Sequence, residues 1–209
     1  MDSSFTKNLF WLVGILGAIT LLLYLFVFDT WVIPGDDPLL TASLQPTLSP
    51  EDRILTRRGS APKHGELARC ILPDGSGKYV IGRVFGMSGD TVTIENERAS
   101  TNGKAPSTRF ACGVVSVVHP ISGDAVPLQC TVEDNGAFTY STLTHPEYRE
   151  GTRSAKVEPD KIYLVADNRH IHSDSRDFGA VDASTCEHVV FRLWGQTFGD
   201  ASHRFNILW

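Results

Sequence analysis

Two segments of the sequence hold side chains that could carry out nucleophilic and acid–base chemistry. The first, TASLQPTL at residues 41–48, contains Ser43, and Pro46 close behind it stiffens the chain and blocks regular strand pairing. The second, ADNRHIHSDSRDFG at residues 166–179, holds three aspartates, two arginines and two histidines. A turn serine and a charged loop are both commonly just solvated surface. The mixture of opposite charges and imidazoles in the second segment also suits an internally hydrogen-bonded active-site loop.

The segments that must position these loops are predicted to be strands. Short apolar or alternating runs recur between Gly, Pro, Asp and Ser residues, and no amphipathic helix of ten or more residues stands out. The sequence therefore predicts a mainly β fold of coiled, barrel-like antiparallel sheets, with residues 104–158 as an inserted β subdomain. The predicted strands are residues 53–56, 66–72, 78–85, 91–95, 113–119, 137–142, 161–165 and 188–193.

An uncharged apolar run occupies residues 9–28. At ~1.5 Å per residue it spans ~30 Å, the thickness of the bilayer hydrocarbon, and no small-x-small cleavage site follows it. The alternative, a buried core helix, would need apolar surroundings on all sides. We therefore expect residues 1–29 to form a cytoplasmic tip and an uncleaved transmembrane signal anchor, and residues 30–209 to form one β-rich domain.

Charges beside the apolar run predict its orientation. Lys7 precedes it, whereas Asp29, Asp36 and Asp37 follow it and the next basic residue is Arg53. Positive charge favours the cytoplasmic side, so the N-terminus is predicted in the cytoplasm and the domain outside.

Net charge and cysteine spacing limit the possible partners. A net charge of −5 argues against nucleic acid, because phosphate binding needs a basic face. The cysteines, at positions 70, 112, 130 and 186, lack zinc-site spacing, so no metal is expected. Outside the cytoplasm Cys112 and Cys130 could form a disulfide across a hairpin, and Cys70 could pair with Cys186; free buried thiols are the alternative.

Taken in this order behind an N-terminal anchor, the segments resemble the type I signal peptidase family. The resemblance covers nearly the whole chain except residues 104–158. Its most specific part is the second segment, residues 166–179, called the late loop below. The matching stretches are Ile33-Pro34, SLQPTL from Ser43, DRIL from Asp52, Gly65-Glu66, RVFG from Arg83, GDTV from Gly89, Asn102-Gly103, DNR from Asp167, SDSR from Ser173, and Gly179.

The resemblance implies a coiled, barrel-like signal peptidase fold. It also implies a monomeric, cofactor-free serine endopeptidase, single-pass in the plasma (inner) membrane with its catalytic domain on the periplasmic side. Its partners would be membrane lipid and exported preproteins, whose signal peptides it would remove after small residues. Ser43 matches the nucleophile, and its N–H with the Thr41 hydroxyl matches the oxyanion hole, whose donors are typically worth ~3–4 kcal/mol each. Residues expected to support the site are Arg83, Asp167, Asn168, Arg169 and Arg176, with Arg83 paired to Asp174 or Arg176.

The sequence departs from the family pattern at the general base. Gly82 stands where the family usually has lysine, and Lys78 is four residues away, ~13 Å along a strand. A second departure is the insert at residues 35–42, between Ile33-Pro34 and Ser43. It leaves open how deep Ser43 lies relative to the bilayer.

A third departure offers a replacement base. His172 stands where the family usually has a serine that bonds the lysine. Imidazole ordinarily titrates near ~6.5, which suits it to accept a serine proton at neutral pH. Our hypothesis is that His172 is the base and Asp174 orients it, in a Ser–His–Asp arrangement. The alternative is a structural loop histidine in an inactive relative that binds peptides or acts as an assembly factor at the membrane.

Overall fold

The computed structural model describes residues 3–149 and 151–208, with side chains from residue 6 onward. It begins with a long helix, α1 (Ser3–Phe26), of which residues 6–26 are apolar and long enough to cross a membrane. The whole apolar stretch is exposed, so the alternative of a buried core helix is wrong. The predicted run extended to residue 28, but the helix ends at Phe26 and a strand begins at Phe28.

The main sheet curls around the body of the molecule. Its strand order is β1-β2-β13-β3-β4-β11-β12, with β14 paired to β13, and all the pairings are antiparallel. The mainly β, coiled antiparallel fold is therefore confirmed. Its strands are β1 (Phe28–Val32), β2 (Arg53–Arg57), β3 (Leu67–Ile71), β4 (Tyr79–Met87), β11 (Lys161–Val165), β12 (Val181–Asp182), β13 (Glu187–Trp194) and β14 (Asn206–Ile207).

Two smaller antiparallel sheets complete the body. One has the order β10-β5-β6 and the other β7-β8-β9. The strands of the proposed insertion, residues 104–158, divide between them. The bounds are β5 (Thr91–Glu95), β6 (Arg98–Thr101), β7 (Ser107–Val118), β8 (Ala125–Asp134), β9 (Thr139–Thr144) and β10 (Arg153–Lys156).

Both cysteine pairs form disulfides. Cys112 joins Cys130 across β7 and β8, and Cys70 joins Cys186, which connects β3 to the segment before β13. Each bridge lies within or beside a hydrophobic cluster of the core, since Cys70, Cys130 and Cys186 are buried.

Two short helices carry the segments singled out in the sequence. The insert folds into α2 (Pro38–Ser43), with Pro38 in its first turn and the Asp37 side chain accepting the Leu40 N–H. Leu40 and Leu44 anchor α2 in the core. Ser43 was expected in a turn, but it is the last residue of this helix. The late loop contains α3 (Ser175–Phe178), which Asp174 caps.

Candidate active site

Ser43 is enclosed rather than exposed. Its side chain is fully buried, and Oγ donates a 2.7 Å hydrogen bond to the carbonyl of Leu40, one turn earlier in α2. A serine hydroxyl inside a helix often bonds a preceding carbonyl in this way. The hydroxyl must leave this bond before it can attack a carbonyl carbon.

The expected oxyanion donors are also engaged in α2. The Thr41 hydroxyl donates to the carbonyl of Pro38 at 3.1 Å. Ser43 lies within α2, where N–H groups serve the helical hydrogen bonds. In this structure both donors are therefore occupied within α2.

Asn168 ties the late loop to the end of α2. Its side-chain amide donates to the carbonyl of Ala42 at 2.9 Å, and its backbone N–H donates to the carbonyl of Ser43 at 3.1 Å. Its Oδ1 accepts the N–H groups of His170 and Ile171. The fully buried Asn168 thus fixes the loop directly against the candidate nucleophile.

A buried ion pair supports the start of the loop. Arg83 on β4 makes a bidentate pair with Asp167, with Nε–Oδ1 and Nη2–Oδ2 distances of 2.9 and 2.8 Å. Its Nη1 donates to the carbonyl of Gly65, and its guanidinium lies 3.9 Å from the centre of the Tyr140 ring. Thr47 also donates to Asp167, at 2.6 Å. Buried pairs with this geometry fix positions more reliably than they add stability.

Gly82 leaves no base on β4 at the position of the family lysine. A Cβ built there has its three nearest atoms in Leu164 and Val165, the closest being Leu164 Cβ at 3.0 Å. A side chain at residue 82 would require Leu164 to shift by a few tenths of an ångström. The space next to Gly82 is therefore bounded by β11, and the imidazole of His172 is not among those nearest atoms.

His172 is bonded to a carboxylate other than the one expected. Its Nδ1 lies 2.8 Å from Asp177 Oδ2, whereas Asp174 Oδ1 is 4.0 Å away. No hydrogen bond joins the ring to Ser43 within the described part of the chain. The Nδ1 contact leaves Nε2 as the ring nitrogen that the Asp177 carboxylate does not engage.

Asp174 serves the loop itself. It caps α3, accepts the Ala166 N–H at 2.7 Å, and pairs with the buried guanidinium of Arg176 at 2.8 Å. Burial alone would raise the pKa of Asp174, but the Arg176 charge and these hydrogen bonds hold that pKa below its usual value. The expected pairing of Arg83 with Asp174 or Arg176 is wrong: Arg83 pairs with Asp167, and Asp174 pairs with Arg176.

His172 and two neighbouring carboxylates are close enough to share a cation. Ligand atoms of His172, Asp174 and Asp177 lie within 4.8 Å of one another. Both oxygens of Asp174, however, are bonded to Arg176. A cation at this position would compete with a buried guanidinium, so the geometry favours an ion-pair network.

The small sheets contribute a second set of loop contacts. Glu97, in the turn between β5 and β6, is buried; its Oε1 lies 2.7 Å from His170 Nδ1, and its Oε2 accepts the His145 N–H at 2.7 Å. The rings of His145 and His170 stack at 4.8 Å. Glu133 on β8 pairs with the buried Arg169 at 3.2 Å. The late loop is therefore bonded to α2 and β4 on one side and to the small sheets on the other.

The structure brings most of the predicted site residues into one network. Asp167, Asn168, Arg169, His172, Asp174 and Arg176 share the late loop, Arg83 is joined to it through Asp167, and Ser43 is joined to it through Asn168. The Thr41 side chain bonds within α2 instead. Sequence reasoning missed three carboxylates, Asp177, Glu97 and Glu133. Asp177 carried a local signal, because it forms a capping box with Asp174 three residues earlier. Glu97 carried none.

Comparison with known proteins identifies the family. Residues 6–194 match the family described as signal peptidase, peptidase S26. The chain is 25% identical over 202 residues to signal peptidase IB of Staphylococcus aureus strain Mu50, covering 94% of this chain and 93% of that protein. It is also 25% identical over 173 residues to signal peptidase I of Bacillus amyloliquefaciens, covering 80% and 76% of the two chains.

Proposed function

Because the chain belongs to the signal peptidase family, peptidase S26, we propose that it is a membrane-anchored serine endopeptidase acting on exported preproteins. Ser43 is the nucleophile in this proposal, and cleavage follows small side chains. Family membership supports the peptidase class, and the identity of 25% to named signal peptidases supports the kind of substrate. The residues that perform the step are inferred from the geometry of the late loop.

The hydrogen bond between His172 and Asp177 is the observation that supports His172 as the base. A carboxylate that accepts Nδ1–H keeps the proton on that nitrogen and leaves Nε2 as the acceptor, which is the tautomer a serine base requires. The same carboxylate stabilises the imidazolium that forms when the base takes a proton. Asp177 therefore has the role that the sequence had led us to give to Asp174.

The step proceeds once the last turn of α2 opens. Ser43 Oγ attacks the carbonyl carbon of the scissile bond while His172 Nε2 takes the hydroxyl proton. The oxyanion is bound by the Ser43 N–H and by the Thr41 hydroxyl, released from Pro38. His172 then gives its proton to the departing amine, and water hydrolyses the ester at Ser43 by the same route in reverse.

Placement at the membrane follows from the same proposal. Helix α1 crosses the plasma membrane with Lys7 on the cytoplasmic side, and the β body lies on the opposite face. The two disulfides support the placement of the β body outside the cytoplasm, because such bridges persist in oxidising compartments. We also propose that the chain acts as a monomer without a cofactor.

Cleavage of a reporter preprotein by the full chain in detergent tests the proposal. Wild type should cleave after a small residue, whereas Ser43→Ala and His172→Ala should each lose at least about a hundredfold in rate. Undiminished cleavage by His172→Ala would exclude it as the base.

A second function is favoured by one specific observation, the burial of Ser43 with its hydroxyl bonded to Leu40. If α2 never opens, the chain binds signal peptides without cutting them. In that case wild type and Ser43→Ala would bind a labelled signal peptide equally, and neither would release product at any pH.

A further inference from the structure

A cavity of about 540 Å³ opens beside α2, and the insert forms one of its walls. Leu40 belongs to that wall, and its carbonyl is the acceptor of the Ser43 hydroxyl. The cavity is therefore one helical turn from the candidate nucleophile. Its position suits a side chain of a peptide whose scissile bond lies at Ser43.

The opposite wall is aromatic. Trp31 on β1 and Tyr79 on β4 line the cavity and meet edge to face, with ring centres 5.8 Å apart. The guanidinium of Arg69 lies 4.5 Å from the centre of the Tyr79 ring and 5.8 Å from that of Trp31. These rings thus already contact one cation of the protein itself, and aromatic faces attract cations generally.

The rim beside α2 is acidic. Asp36 and Asp37 both line the cavity, and Asp37 also caps Leu40 through Oδ1 at 3.0 Å. Lys78 is the basic side chain among the described lining residues, and no ion pair of Lys78 is found within the described part of the chain. Arg69, which contacts the aromatic wall, is already paired with Asp29 and Glu187, so two carboxylates against one ammonium leave the rim with an excess of negative charge.

We propose that this cavity is a subsite for a lysine or arginine side chain of the bound peptide, with Asp36 and Asp37 facing its charge and Trp31 and Tyr79 contacting its stem. The inference rests on the proposed function, since it assumes that a peptide lies across Ser43. It adds a substrate class, namely preproteins with a basic residue near the cleavage site. Lys78 opposes this preference and limits its strength.

Equilibrium binding to the full-length Ser43→Ala variant in detergent tests the subsite. The probes are fluorescent signal peptides that carry lysine, norleucine or glutamate at each position around the cleavage site in turn. At one position lysine should bind about five- to tenfold more tightly than norleucine, with glutamate weakest. The advantage should shrink in high salt, because exposed ion pairs are screened.

Variants assign the effect to the cavity. Asp36→Asn with Asp37→Asn should abolish the lysine advantage while norleucine peptides bind as before, and Lys78→Met should enlarge it. Lysine and norleucine binding equally at every position would overturn the subsite but leave the peptidase intact. A lysine preference that survives the double substitution would also overturn the subsite. So would a lysine preference that disappears in micelles containing phosphatidylethanolamine, because the lipid amine would then be the occupant of the cavity. Failure of every peptide to bind would overturn the proposed function together with the subsite.

Discussion

Nδ1 of His172 lies 2.8 Å from the Asp177 carboxylate, on a loop whose Asn168 is bonded to the backbone of the candidate nucleophile. Asp177→Asn should preserve the fold, because an amide oxygen can still accept the N–H of Asp174, but a neutral amide cannot stabilise the imidazolium that forms on His172. We expect reporter cleavage to fall by about 10²-fold or more, with a small change in KM. Asp177→Glu should recover part of the rate. Full activity in Asp177→Asn would remove this carboxylate from the mechanism.

Helix α2, which encloses Ser43, should lower the rate of cleavage as long as it stays folded. Asp37→Ala removes the cap of α2, which costs about 1 kcal/mol of helix stability, whereas Asp37→Ser removes the same charge and keeps a capping side chain. If opening of α2 precedes attack, Asp37→Ala should cleave the reporter up to about fivefold faster than Asp37→Ser. Slower cleavage by the alanine variant would mean that intact α2 is the active form.

Asp174 should make stability depend on pH in the acid range. Its pKa is lower in the folded chain than its unfolded value of about 3.9, so the stability it contributes is fully present above that value and is lost as pH falls through the folded-state pKa. At pH 7, Asp174→Asn should destabilise by about 3–5 kcal/mol, because Arg176 remains buried without its partner. Denaturation in urea at several pH values measures this. The gap between wild type and variant should narrow below about pH 4, and a constant gap would contradict the assignment.

Glu97 should control the mobility of the late loop. Glu97→Ala leaves the His145 N–H and the His170 ring without their acceptor, so amide exchange in residues 168–172 should accelerate about tenfold or more. Glu97→Gln keeps a neutral acceptor and should give a smaller increase. An increase spread evenly over the sheets would instead indicate global destabilisation.

Much of the fold was accessible from the sequence, because apolar alternation between turn residues marks strands locally. Each of the eight predicted runs overlaps a strand, from β2 to β13. Helix α2 was missed because six residues are too few to show a helical period, although Asp37 and Pro38 are a usual start signal. β1 was missed, and only its first residue, Phe28, lay in the predicted apolar run.

The candidate site was harder to predict, because its partners are distant in sequence. Arg83 and Asp167 are 84 residues apart, and Glu97 and His170 are 73 apart, so no local pattern pairs them. Family resemblance singled out Ser43 and the late loop as candidates, but the side chains surrounding His172 depend on how the sheets bring these segments together. The choice between Asp174 and Asp177 was decided by the capping geometry of α3.

The junction between α1 and β1 leaves the body little freedom of its own. Val27 is the only residue between them, and Arg58 reaches back to donate to the carbonyl of Leu25 and to pair with Asp29 at 3.2 Å. Without a flexible tether, the body cannot search the solution for a target. With α1 in the bilayer, as proposed, lateral diffusion would have to bring peptide and protein together, and only a bond presented at one fixed height above the lipid would be reached.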